Sequence, residues 1–553
     1  MADRAQIAMV ALAAVFLFGL FSAEIYDTDF WWHLRTGQYI VEAHGLPAPD
    51  PFAWTTAAAR DAYPGEARTR WFNLTHEWLA QVLLYGVWRL GGFPGVVAVR
   101  ALSMTGVCAL IGWLAWRRRK SILGAAAGSL AAAGVLAMFA LDRPYQLTFL
   151  FLAIVLVLVE DRRRLWLLPP LFLIWANCHS GYFLGWIVLG AHCAERLVRR
   201  ERDVKLWMAS AACVATSAVN PNGFGVFRAL LDYRKSFLQS KLLEWTPMPL
   251  WPPSWFSALL FLAAVVLAWQ WRRVRLSDWL IFVVFGAASL SAQRNVFLTA
   301  MIAPVLIAAY WPWKLRLPSA SAALAAVAIA VMLAAGVVRG SFFQFRVAEW
   351  KFPSGAADFL LRHGVTGRLF NTYEYGGYLI WRLWPRERVF IDGRALSESV
   401  FQDYARMLYN HDESDGQPSG ESLIDRYGIE VIVMNTFEAS GGTVYLLAPS
   451  LADPSQARWK LVHQDAQSVV FMRNPPAGVQ PLSSVEVFTH MEAECGLHIA
   501  HEPQYTRCAR SLGQVFARVG DFARARKWVG VYLQHPHPPD PQAEEAWQRL
   551  SGM

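Results

Sequence analysis

Residues 5–34 read AQIAMVALAAVFLFGLFSAEIYDTDFWWHL, and the two halves of this stretch suit different solvents. From Ala5 to Ala23 the side chains are apolar over a length close to the ~20 residues that carry a helix across a hydrocarbon core. The run ends in Ser22-Ala23-Glu24, which invites a signal-peptide reading. It is long for a signal segment, however, and the chain stays hydrophobic beyond it, so it reads as an uncleaved first span. The second half is acidic and aromatic: Glu24, Asp27 and Asp29, then Phe30-Trp31-Trp32-His33. Two acids two apart in a loop can share a divalent cation or divide the work of base and metal ligand. Acids are also frequent where a helix leaves the membrane, and Trp31 and Trp32 suit interfacial anchors.

The rest of the chain repeats the first half of that pattern. Of 553 residues, 55% are hydrophobic and only 17% charged, and further apolar runs lie near 78–91, 95–116, 121–141, 145–159, 165–177, 181–198, 204–219, 255–271, 278–292, 295–312 and 318–338. This predicts a polytopic α-helical membrane domain of about 11–12 spans over residues 1–340. The net charge of +9 sits in short clusters between the runs: Arg117-Arg118-Arg119-Lys120, Arg162-Arg163-Arg164, Arg199-Arg200-Glu201-Arg202, Arg272-Arg273 and Lys314-Leu315-Arg316. These read as topology signals, not as a nucleic-acid surface. With all of them cytoplasmic, the turns at Asp142-Arg143-Pro144, Asn177-Cys178-His179, 220–253 and Gln293-Arg294-Asn295 face outward, as does everything after 338. The expected location is a bacterial inner membrane, with the C-terminal domain periplasmic. The stretch 76–116 resists the scheme, because its apolar halves flank Gly91-Gly92-Phe93-Pro94-Gly95 yet must cross a net single time. Either 76–92 is re-entrant or interfacial, or the charge count misleads there.

After residue 340 the pattern shifts to short strands, at 368–371, 388–392, 430–434 and 468–472, with helices near 354–363 and 397–411. An α/β domain over 341–478 with a parallel or mixed sheet is expected. Residues 479–553 turn helical, and 509–525 resembles one tetratricopeptide (TPR) hairpin. A single such unit cannot bury its own face, so it packs on the preceding domain or receives a protein partner. Of six cysteines, only Cys495 and Cys508 lie outside the apolar runs, and in an oxidising periplasm they could pair.

The loop 24–75 has no spanning run and is too long for a simple connector. It closes with Asn73-Leu74-Thr75-His76-Glu77-Trp78, which brings a second cluster, His76 and Glu77, to the membrane surface. That pair could complete a hard-cation site with Asp27 and Asp29, for Mg or Mn, or orient a substrate hydroxyl. Equally, Glu77 suits the positive end of a helix dipole.

A first span ending in Asp27-Thr28-Asp29, a long first external loop, a helical membrane core and an external α/β domain resemble the GT-C glycosyltransferase superfamily. That superfamily includes oligosaccharyltransferase catalytic subunits and protein mannosyltransferases. Asn371-Thr372-Tyr373-Glu374-Tyr375-Gly376-Gly377-Tyr378 resembles the W-W-D-Y-G-Y acceptor motif of oligosaccharyltransferases. Thr372 and Tyr373 stand where that motif has tryptophans, and Glu374 replaces its aspartate. A group of bacterial membrane proteins with D-x-D-x-W-W-H-L, H-E-W-L, R-P-x and G-G-Y-L-I-W segments is also similar. The resemblance implies transfer of a sugar from a polyprenyl-phosphate donor to an acceptor at the periplasmic face. Arg143 and Arg294, at outer helix ends, would then neutralise the lipid phosphate, unless they merely snorkel. Asp27 or Asp29 would be the base, His33 and His179 would line the cavity, and Glu244 would belong to a flap. Glu374, Tyr375 and Arg394 would meet the acceptor. The competing reading is a non-catalytic membrane scaffold for envelope or polysaccharide assembly. A nucleotide-driven pump is disfavoured, since the sequence carries no P-loop, no Rossmann fingerprint placed after a strand and no clear zinc spacing. A transporter ranks third for want of paired internal acids and bases or an inverted repeat.

Overall fold

The structure is a computed structural model and describes residues 4–238, 243–313, 318–414, 416–438 and 441–552; the basic cluster Lys314-Leu315-Arg316 lies outside the described residues. The chain forms two compact units, one of Met1–Ala48 with Tyr63–Val347, the other of Pro49–Ala62 with Ala348–Met553.

The first unit is helical: α1 (Arg4–Phe21), α2 (Phe30–Ala43), α3 (Glu66–Thr75), α4 (Trp78–Arg119), α5 (Ile122–Leu136), α6 (Tyr145–Asp161), α7 (Leu168–Cys178), α8 (Phe183–Val198), α9 (Val204–Ser217), α10 (Gly225–Tyr233), α11 (Trp255–Trp269), α12 (Leu276–Ser291), α13 (Phe297–Tyr310) and α14 (Ser319–Val338). Among the described residues, five segments are long and apolar enough to cross a membrane: Arg4–Phe21, Glu66–Arg119, Ile122–Phe139, Gln293–Tyr310 and Ser319–Val338. Shorter apolar helices cover Leu165–Cys178, Trp255–Trp269 and Leu276–Ser291. The expected 11–12 spans thus become five of full length by this measure, because several runs break early. The α8 helix has 16 residues and α9 has 14, short of the ~20 that span a bilayer core. In the core of this unit Met104, Ile111, Phe149, Leu152, Phe172 and Trp175 are buried together.

The stretch that resists assignment from sequence is one 42-residue element broken at Gly92, whose φ of 60° and ψ of −158° are not helical. This combination is open essentially to glycine alone. Pro94, two residues on, has no N–H to give the ladder. The first piece packs tightly on α2, where a Cβ at Gly37 would lie 2.0 Å from the Gln81 carbonyl oxygen. The predicted loop 24–75 is therefore largely built structure, with α2 and α3 in it.

The second unit holds a four-stranded mixed sheet in the order β1-β2-β4-β3, from β1 (Leu369–Asn371), β2 (Val431–Met434), β3 (Lys460–Gln464) and β4 (Val469–Met472). Only β1 and β2 run parallel. The expected strand at 388–392 does not enter this sheet. It makes a single bridge, Val389 to Ala53, since its partner is the short segment from the first loop. Helices α15 (Ser354–Arg362) and α17 (Glu398–Leu408) fall at their expected places, with α16 (Tyr373–Leu383) between them. Four helices over 486–551 close the unit, and Cys495 and Cys508 form a disulfide there.

Candidate functional site

The turn between α1 and α2 is held by backbone bonds: Ile25 N–H donates to Arg346 O at 2.9 Å and Gln344 N–H to Ser22 O at 2.7 Å. Within it, Asp27 Oδ1 accepts from the Asp29 N–H at 3.2 Å, which starts α2 at Asp29. Arg143, in the turn before α6, reaches the same point. Its Nε and Nη2 donate to Asp27 Oδ2 and Oδ1 at 2.5 and 2.7 Å, and its Nη1 lies 3.0 Å from Asp29 Oδ2. A guanidinium fork matched to both carboxylate oxygens is the strong form of this contact. Asp27 is 3% exposed and Asp29 is 16%.

Ionisation separates the two acids. Burial works to raise the Asp27 carboxyl, but the charge and hydrogen bonds of Arg143 outweigh it and hold it below the usual range. Asp29 is pushed up to about 6 by burial and the neighbouring Asp27 charge, with Arg143 opposing only in part.

His33 is one turn along α2 from Asp29, its N–H donating to Asp29 O at 3.3 Å. Burial drives its imidazole down to about 3, so it is neutral at physiological pH. Its Nδ1 stands 3.7 Å from Glu77 Oε2. Glu77 is ringed by two more imidazoles, His76 Nε2 at 3.3 Å and His179 Nε2 at 3.8 Å from Oε1. The hydrogen bonds assign the tautomers. His76 Nδ1 lies 2.8 Å from the Phe72 carbonyl and carries a proton, whereas His179 Nδ1 accepts from Gly181 N–H at 3.0 Å, leaving the proton on Nε2, towards Glu77. The remaining predicted pair, Arg294 and Glu244, are 3.7 Å apart, with the guanidinium 4.2 Å over the Trp245 ring. Gln293 N–H donates to Thr246 O at 2.8 Å, so this flap is tied to the turn before α13.

The first unit thus gathers Asp27, Asp29, His33, His76, Glu77, Arg143, His179, Glu244 and Arg294. In the second unit, the acceptor roles expected of Arg394, Tyr375 and Glu374 need correction. Arg394 is 2% exposed and spends its guanidinium on Asp392 and Asp50, both at 2.7 Å. The Tyr375 hydroxyl donates to the Gln467 carbonyl, and Glu374 accepts from the Tyr445 hydroxyl at 2.9 Å. All three are turned into their own domain.

The expected metal finds a poor fit at Asp27 and Asp29. Both oxygens of Asp27 accept from Arg143, which also reaches Asp29, so the guanidinium fills the place a cation would take. Among the described residues, no group of three or more His, Cys, Asp or Glu side chains is arranged to hold a metal ion.

No protein-family model matches the chain, and no curated protein does. Solved structures do. The archaeal oligosaccharyltransferase AglB from Archaeoglobus fulgidus, in complex with an inhibitory peptide and a dolichol-phosphate, aligns over 96% of this chain and 86% of its own, with a TM-score of 0.54 and 9% identity. The chain shares the overall fold of this oligosaccharyltransferase. ArnT from Cupriavidus metallidurans bound to undecaprenyl phosphate is also similar, over 86% of this chain and 99% of that one, with 15% identity and a TM-score of 0.43. The apolar helices make a multi-pass membrane protein. One charged residue of the site escapes the sequence reading. Arg100 lies inside the apolar run 95–116, and the signal that marks it is a lone arginine within a spanning segment.

Proposed function

We propose that this protein transfers a sugar from a polyprenyl-phosphate donor to a hydroxyl acceptor at the extracytoplasmic membrane surface. The observation that carries the reading is the Arg143 fork on Asp27, with Asp29 beside it, at the exit of the first span of a GT-C fold. The AglB structure's dolichol-phosphate supports the donor class.

Asp29 is the base in this reading. Its carboxylate takes the acceptor hydroxyl proton as the oxygen attacks the anomeric carbon. The bond from that carbon to the phosphate oxygen breaks, and the electron pair leaves with the polyprenyl phosphate. Asp27 stays ionised and anchors Arg143, whose part-exposed guanidinium, with Arg294, takes the phosphate charge. His33, neutral, and Glu77 with its histidines form the polar wall next to Asp29. The topology rests on the basic clusters, and the Cys495–Cys508 disulfide supports an oxidising compartment for the second unit. The TPR-like end would serve as a cap or a protein-partner surface.

The test is release of polyprenyl phosphate from lipid-linked sugar by purified protein in lipid nanodiscs. D29N should lower the rate by about 10²–10⁴, and D27A should do the same by freeing Arg143, while both variants keep the wild-type elution profile and melting curve. Full activity in either variant sinks the assignment.

A further inference from the structure

Arg100 and Asp142 form a further ion pair in the first unit, each side chain 2% exposed. Arg100 lies on α4 within a spanning segment, where an arginine is costly and needs polar partners. Each of its three side-chain nitrogens has one. Nη1 donates to Asp142 Oδ2, Nε to the Phe21 carbonyl at 3.1 Å and Nη2 to the Ala23 carbonyl. Phe21 is the last residue of α1, so its carbonyl lacks a helical N–H and Arg100 supplies one. Ala23 lies four residues before Asp27, and Asp142 is the residue before Arg143.

One guanidinium therefore grips both chain segments that carry the Asp27 and Arg143 contact. The Arg143 side is stiff, since Arg143 N–H donates to Leu141 O at 2.9 Å and Pro144 fixes the backbone as α6 begins. A displacement of Asp142 must carry Arg143 with it. A buried ion pair seldom stabilises a fold more than apolar residues of the same volume would, so thermodynamic stability alone is a weak reason for this one. Its bonds go instead to the two segments that present the site.

We infer that Arg100 and Asp142 are positioning residues, which set Arg143 against Asp27 and Asp29 by clamping the exit of α1 to the turn before α6. This rests on the reading of Asp27, Asp29 and Arg143 as the reaction centre. The charges also pair off: Arg100 with Asp142 and Arg143 with Asp27, with Asp29 sharing Arg143 through a single contact.

The experiment uses full-length protein in nanodiscs carrying R100Q, R100K or D142N. R100K keeps the charge and D142N keeps the shape, so the pair stays testable where R100Q does not fold. Cryo-electron microscopy should show the Arg143 fork released from Asp27 in R100Q and D142N, with the α1 and α4 backbones in place. An intact fork in both variants overturns the inference. Undecaprenyl phosphate serves as the binding probe. R100Q should weaken its binding roughly tenfold or more, with partial rescue in R100K, and should cost nothing further in an R143A background, since it acts through Arg143. An equal loss in both backgrounds overturns the positioning role. Absence of probe binding by the unaltered protein counts against the donor class proposed above, and the imaging then still decides the role of Arg100.

Discussion

Asp27 and Asp29 carry the same side chain two residues apart, and the fold gives them different surroundings. Asp27 faces the fork of Arg143 with both oxygens, so protonating it would forfeit two charge-assisted bonds. Asp29 holds a single contact to that guanidinium, is buried, and bears the repulsion of Asp27 and Glu244. A base must be deprotonated to act, so activity should rise with pH through about 6 and level off above it. His33, neutral down to about 3, adds no second limb in that range. Initial rates between pH 4.5 and 8 check this, and a flat profile would remove Asp29 from the role. The acids were legible in the sequence because Asp-x-Asp and His-Glu bracket one loop. Their division of labour was not, because it depends on an arginine more than a hundred residues away. Arg394 misled for the converse reason: after a strand and a glycine it reads as an exposed turn, whereas its two carboxylate partners bury it.

At the scale of elements, glycine decides how the first loop is built. Gly37 lets α2 approach the Gln81 carbonyl, and that approach brings His33 to Glu77. Gly92 turns the chain out of the first piece of α4 in a conformation that a Cβ forbids. G92A should therefore cost about 1–3 kcal/mol, seen as a lower midpoint in thermal unfolding of the detergent-solubilised protein, and an unchanged midpoint would show that the break relaxes freely. The Gly-Gly-Phe-Pro-Gly string was visible in the sequence as a break. What it could not tell was whether the halves form a hairpin or one kinked element, since local propensity is the same for both. Strands fared similarly. Residues 388–392 have a short apolar run, Val389-Phe390-Ile391, but pair only through the bridge to Ala53, while β3, Lys-Leu-Val-His-Gln, hides behind polar ends and is recruited by pairing with β4.

For the whole molecule, the division into units cuts across the chain order. Pro49–Ala62 comes from the first loop but folds with residues 348–553. Asp50 accepts from Arg394 at 2.7 Å, the Trp54 indole N–H donates to Leu369 O at 3.1 Å, and Phe52 is fully buried. The sequence suggests a border near 340, because composition changes there. It could not see the inserted segment, which is too short to carry a pattern of its own. D50A would leave Arg394 with one carboxylate in a sealed site, and should cost about 3–5 kcal/mol. Limited proteolysis should then cut within 348–553 at protease levels that spare the unaltered protein; equal resistance would show that Asp392 suffices.

The same segment imposes an order on synthesis. Asp50 leaves the ribosome 344 residues ahead of Arg394, and at ~5–20 residues per second this is a wait of roughly 17–70 s. Throughout that time Phe52 and Trp54 stand beside a newly inserted span with no core to enter. The second unit cannot close until nearly the last part of the chain has been made, so the nascent protein must keep an early, sticky segment idle across the insertion of every later helix.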